Sequence, residues 1–141
     1  MQGRLAPLPV AVEFRQAAWM ADQGRERTLD LLRRRGLVYV CVDEPQGTRR
    51  SVPPVAAVTS PDLAVVRFHG RRRETWERPG VSTTERFGYL YRPEELAEWV
   101  PAIRGLAHEA RAVCVLMNNC HREYAVRNAK ELATLLATPT A

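Results

Sequence analysis

Four short apolar runs in this sequence end in residues suited to chemistry, and in three of them polar side chains recur at every second position. Residues 10–15 put Glu13 and Arg15 on one face of an extended chain and Val12 and Phe14 on the other. Residues 63–69 do the same with Arg67 and His69 against Val66 and Phe68. In residues 37–43, Tyr39, Cys41 and Asp43 share a face against Val38, Val40 and Val42, while residues 112–118 close on Asn118, with Asn119 behind it. Glu13, Asp43 and His69 are therefore the candidate catalytic groups, because two carboxylates and an imidazole in one place can divide the roles of general acid and general base. Arg15, Arg67, Asn118 and Asn119 are candidate ligand-binding groups around them. A structural reading competes. Buried charges are costly unless paired, and these residues can pair with one another in a network that fills the fold. The carboxylates also suit a metal ion, but such a site normally recruits several histidines, and only His69 is well placed. No metal and no cofactor is expected.

A second basic group follows the third run. Gly70, Arg71, Arg72 and Arg73 open a long polar stretch, residues 70–91. Guanidinium forks match phosphate oxygens two at a time, which makes Gly70 and Arg71 candidate ligand-binding residues; a solvated loop has the same composition. Trp76, Tyr89 and Tyr91 either stack on a base or sugar or pack the loop down, and Tyr91 is kept as a ligand-binding candidate.

The elements that must position these residues read as strands and helices in alternation. Residues 10–15, 37–43, 63–69 and 112–118 are mostly too apolar for a sheet with one wet face, which favours parallel strands covered on both sides. Residues 25–35 read as a helix ending in three arginines and Gly36, with Leu29 and Leu32 inward. Residues 93–109 read as one helix with proline and two glutamates at its start and Pro101 as a kink. Residues 124–136 read as the last helix, and the proline-punctuated 44–61 segment has room for a short helix near 55–58. The order is four βα units in a single domain over residues 1–141, with no internal repeat. Pattern alone leaves two architectures open, half of a barrel and a small doubly wound sheet.

The composition is that of an ordinary soluble domain, 45% hydrophobic and 26% charged, over 141 residues. The net charge of +5 permits nucleic-acid or phosphorylated partners, but 20 of the 21 basic residues are arginine beside much alanine, which a GC-rich coding sequence also produces. Three cysteines without framework spacing argue against a disulfide scaffold, and Cys41 and Cys114 read as buried small hydrophobes. The opening apolar stretch, residues 5–12, contains two prolines and runs into Glu13, unlike a signal peptide, and no run approaches the ~20 residues of a membrane span. A cytoplasmic protein with no membrane partner is expected.

Several blocks resemble a known family. Val12-Glu13-Phe14-Arg15 with Trp19, Asp43 with Pro45, Val66-Arg67-Phe68-His69-Gly70-Arg71, and Tyr89-Leu90-Tyr91 with Glu94-Glu95-Leu96 and Trp99 are similar to blocks of the YecE-like family, domain of unknown function 72. Val115-Leu116-Met117-Asn118-Asn119, then Ala125-Val126 with Asn128-Ala129, continue the resemblance in family order, so that it covers about residues 8–137. Gln16 stands where the family usually has histidine. The resemblance implies a TIM-barrel-like (β/α)8 fold, here a half-barrel of about four parallel βα units matching the C-terminal half of a domain of ~250 residues. The site would then lie at the carboxyl ends of the strands, where the loops after barrel strands seven and eight often bind phosphate. Two functions follow as expectations: a phosphate- or nucleic-acid-directed hydrolase or lyase, or a non-catalytic nucleic-acid or anion-binding module. A truncated, inactive fragment is a third. A half-barrel also has open edges, so a separate N-terminal half-barrel or a homodimer is an expected partner.

Overall fold

The computed structural model describes residues 8–139, so part of the apolar stretch at 5–12 lies outside the described residues. The apolar runs form strands β1 (Ala11–Val12), β2 (Val38–Asp43), β3 (Ala64–Phe68) and β4 (Val113–Met117). They lie in the order β1-β2-β3-β4, and every neighbouring pair is parallel. β2 is buried along its whole length, as a strand covered on both faces must be. β1 is shorter than its sequence pattern, because beyond Val12 the chain leaves the ladder.

The helices are α1 (Arg25–Arg35), α2 (Arg73–Trp76), α3 (Thr83–Arg86), α4 (Pro93–Ala97), α5 (Val100–Glu109) and α6 (Tyr124–Ala137). α1 stops where Gly36 adopts a left-handed conformation at φ 61°. The Gly36 amide bonds to the Arg33 carbonyl and the Leu37 amide to the Leu32 carbonyl, which satisfies the end of the helix and turns the chain directly into β2. Residues 93–109 are two helices, not one. Pro101 supplies no amide to the Ala97 carbonyl, and the helix breaks over residues 98–99 and restarts. The 70–91 loop carries α2 and α3, each of four residues.

The short helix expected near 55–58 is absent. That segment is irregular, after two prolines and with β-branched neighbours, and its polar groups serve β2 instead. Thr59 Oγ1 accepts from the Tyr39 amide and donates to the Leu37 carbonyl, each at 2.7 Å. Leu29, Leu32, Leu96, Ile103, Leu106 and Leu132 pack on one face of the sheet in one core cluster with Cys41, Val66 and Phe68. Each such leucine contributes roughly 1.5–3 kcal/mol by leaving water. On the opposite face β4 leaves Leu116 45% exposed. Cys114 is exposed on that face as well, which corrects the expectation that it is buried; Cys41 is buried as expected.

Candidate functional site

Register decides which polar residues meet. The β2–β3 ladder sets Val42 beside Arg67 and Asp43 beside Phe68, and the β3–β4 ladder sets Arg67 beside Leu116. Laterally paired residues of a parallel sheet point to the same side. Arg67, His69 and Asn118 therefore share the face away from the helices. Ala11 pairs with Val38, which brings Glu13 and Arg15 to that face too. Asp43 goes the other way, with Phe68, under the helices. Its expected place beside Glu13 and His69 is thus corrected; the next residue, Glu44, reaches the Arg15 side instead.

The inner group is built on the Glu13 carboxylate. Its Oε1 lies 2.9 Å from His69 Nε2 and accepts from Arg15 Nη1 at 2.9 Å, and its Oε2 accepts from Arg67 Nη1 at 2.8 Å. On the far side of the imidazole, Asn118 Nδ2 meets Nδ1 at 3.0 Å. An ionised carboxylate only accepts, so Nε2 is the donor to Glu13. Trp76 and Phe87 close around the ring, with centroids 5.9 and 5.7 Å away, and the Arg15 guanidinium lies 5.2 Å over Trp76. His69 is left 2% exposed with both nitrogens engaged. Burial alone would raise the Glu13 carboxyl; the hydrogen bonds and charge of His69, then those from Arg67 and Arg15, outweigh it and hold the group at about 2.

Glu44 behaves oppositely. Its side chain is 1% exposed. One oxygen accepts from the Val52 amide at 2.6 Å, while Oε2 has no hydrogen-bond partner among the described residues and stands 3.8 Å from Arg15 Nη1. Burial pushes this carboxyl up to about 7, a shift only partly opposed by the Val52 amide and Arg15.

The remaining candidates serve the frame. Arg71 grips Asp43 with two nitrogens, at 3.1 and 2.8 Å, and Glu98 with one at 2.8 Å. Trp99 Nε1 and the Tyr91 hydroxyl also donate to Asp43, at 2.7 and 2.6 Å. Gly70 offers its amide to the Tyr91 hydroxyl at 2.8 Å and not to an open cleft. Asn119, fully buried, donates to the Tyr89 carbonyl and to Asn128, both at 2.8 Å. Asn128 in turn exchanges two 3.0 Å bonds with the Tyr91 backbone. Sequence reasoning did not place Glu44 or Phe87 at the inner group; it read Trp76 as a loop aromatic that stacks or packs, and it named Trp99 and Asn128 within the family blocks and not as site residues. Parity along 38, 40, 42 and 44, once tied to the neighbouring strand, is the signal that reaches Glu44. Among the described residues, no three His, Cys, Asp or Glu side chains converge as a metal ion would need, and no helix is long and apolar enough to cross a membrane.

The model of the family described as "Protein of unknown function DUF72" matches residues 1–141. The chain belongs to the DUF72 family. The UPF0759 protein YunF of Bacillus subtilis (strain 168) is 34% identical to it over 136 residues, which is 94% of this chain and 48% of that protein. Two solved structures of DUF72 proteins superpose on it. The Enterococcus faecalis V583 protein EF0366 does so with a TM-score of 0.85 at 28% identity, over 99% of this chain and 51% of the other. The Thermotoga maritima MSB8 protein TM1631 does so with a TM-score of 0.81 at 36% identity, over 94% and 47%. The chain thus spans about half the length of the relatives it matches. Its four parallel strands are half of a TIM-barrel-like fold, which decides between the two architectures that the sequence pattern left open.

Proposed function

We propose that this DUF72 chain binds an anionic ligand of the phosphate-ester class at the carboxyl ends of its strands, with Arg15 and Arg67 as the ligating groups. One observation carries this reading. Both guanidiniums are anchored on the single Glu13 carboxylate, at 2.9 and 2.8 Å, yet their side chains stay 51% and 37% exposed. A guanidinium has five N–H donors, so each arginine keeps donors for an anion after satisfying Glu13. Glu13 acts as a positioning residue, and His69 with Asn118 holds Glu13. The location agrees with where barrels of this class do their work. The test is calorimetric titration with inorganic phosphate and phenyl phosphate against the wild-type chain, Arg15→Ala and Arg67→Ala. Each variant is expected to bind about tenfold more weakly or worse. Binding unchanged in both contradicts the proposal.

A second reading, a hydrolase or lyase acting on the same ligand, is favoured by the two carboxylates beside Arg15. Glu44 holds its proton to about neutrality, which suits a general acid, while Glu13 stays ionised and holds the two arginines. Turnover of a phosphate ester that Glu44→Gln abolishes, with binding retained, is the outcome this reading requires.

A further inference from the structure

Away from the Glu13 group, four arginines border one open cleft. Arg49 and Arg50 come from the segment between β2 and β3, and Arg78 and Arg86 from the segment after α2; with Glu77 and Pro79 they line a cavity of about 460 Å³. Arg86 is fixed in place, with Nη1 donating to the Trp76 carbonyl at 3.1 Å and Nη2 to the Arg78 carbonyl at 2.9 Å. Glu77 is the one carboxylate of the lining among the described residues, and its Oε1 already accepts from the Arg50 amide at 2.6 Å. Arg49, Arg50 and Arg78 are exposed, and the ion pairs of the described residues include none of their guanidiniums.

Guanidiniums gathered this way repel one another, and an anion between them relieves that repulsion. Among the described residues the lining includes no aromatic platform and only Pro79 as an apolar surface, so a ligand is recognised here by charge and not by a ring. Each free fork takes two phosphate oxygens, and three forks exceed what a single phosphate needs. We propose that this cleft binds linked phosphates, two or more joined in an oligophosphate or a phosphodiester chain. It is separate from the Glu13 group, with Trp76 as the wall between them. The Trp76 ring faces His69 and Arg15 on one side, while its carbonyl holds Arg86 on the other.

The experiment measures binding of orthophosphate, tripolyphosphate and a short single-stranded oligonucleotide to the whole chain. The proteins compared are the wild type, the triple variant Arg49→Ala/Arg50→Ala/Arg78→Ala, Arg67→Ala, and a control, Arg27→Ala/Arg34→Ala, that removes exposed charge on α1. At least one linked phosphate ligand is expected to bind about tenfold tighter than orthophosphate. The triple variant is expected to lose that advantage, with Arg67→Ala and the control keeping it and all melting temperatures alike. Tripolyphosphate alone assigns the cleft to free oligophosphates, and oligonucleotide binding through the same arginines assigns it to a phosphodiester backbone. Linked phosphates that bind no tighter than orthophosphate overturn the proposal, as does an advantage that survives in the triple variant or falls equally in the control. A failure of Arg67→Ala to affect orthophosphate binding bears on the inner site alone.

Discussion

Glu13 Oε1 stands 2.9 Å from His69 Nε2, a contact that joins residues 56 positions apart in the chain and fixes the carboxylate on which Arg15 and Arg67 converge. Because its partners hold Glu13 at about 2, below the ordinary 4.5, the carboxylate stabilises the fold above pH 4.5 and loses that contribution as pH falls toward 2. The contribution is at most about 3 kcal/mol. Urea denaturation at a series of pH values is expected to show the wild type weakening through this window, and Glu13→Gln, weaker at pH 7, changing less across it.

Glu44 carries the opposite sign. Its folded carboxyl is pushed up to about 7 by burial, so between pH 4.5 and 7 the folded chain keeps a proton that the unfolded chain has lost. Stability therefore falls as pH rises through that window and levels off above it, by on the order of 2–4 kcal/mol. Glu44→Gln is expected to flatten the fall and to be more stable than the wild type at pH 8. Equal slopes for the two proteins in the same denaturation series would remove the buried, proton-holding Glu44 from the account.

Asp43 is the hub of the helix-covered side, where it receives Tyr91, Trp99 and two nitrogens of Arg71. Asp43→Ala leaves a buried hydroxyl and an indole N–H without their acceptor, strips Arg71 of its two-point partner and is expected to cost about 3–5 kcal/mol. Asp43→Asn keeps an acceptor and costs less. Thermal melts of the two variants check the order.

How far the sequence revealed this arrangement depended on the strand. In β3, Arg67 and His69 interrupt an apolar run at alternate positions, so the polar face was legible; Glu13 and Arg15 are placed likewise beyond β1. β2 reads Val-Tyr-Val-Cys-Val and is buried on both sides, so alternation within it carries no sign of which face is inner. Asp43 and Glu44 are adjacent and both acidic, and only the register against β3 tells them apart. Trp76 and Phe87 were out of reach for a different reason: they arrive at His69 through the path of a long loop, which no periodicity sets. The same loop hid the fate of Arg71. Its phosphate-like setting in sequence, after a glycine and among arginines, becomes a two-point grip on a buried aspartate.

Gly70 shows how little side-chain freedom that loop has. Its φ is +94°, and a Cβ there would lie 2.8 Å from Tyr89 Cβ. Gly70→Ala is expected to destabilise by about 1–3 kcal/mol through backbone strain, with more from the contact. The effect should appear in a urea midpoint without loss of the Arg15 and Arg67 side chains that the ligand needs.

The central claim, that Arg15 and Arg67 together receive an anion, is tested most directly by following the side-chain Nε–Hε resonances of these two arginines while phenyl phosphate is added. Both are expected to shift along one saturating curve, and Glu13→Gln is expected to weaken that curve. Arg15 and Arg67 signals that stay still at saturation, or that shift along unrelated curves, would contradict it.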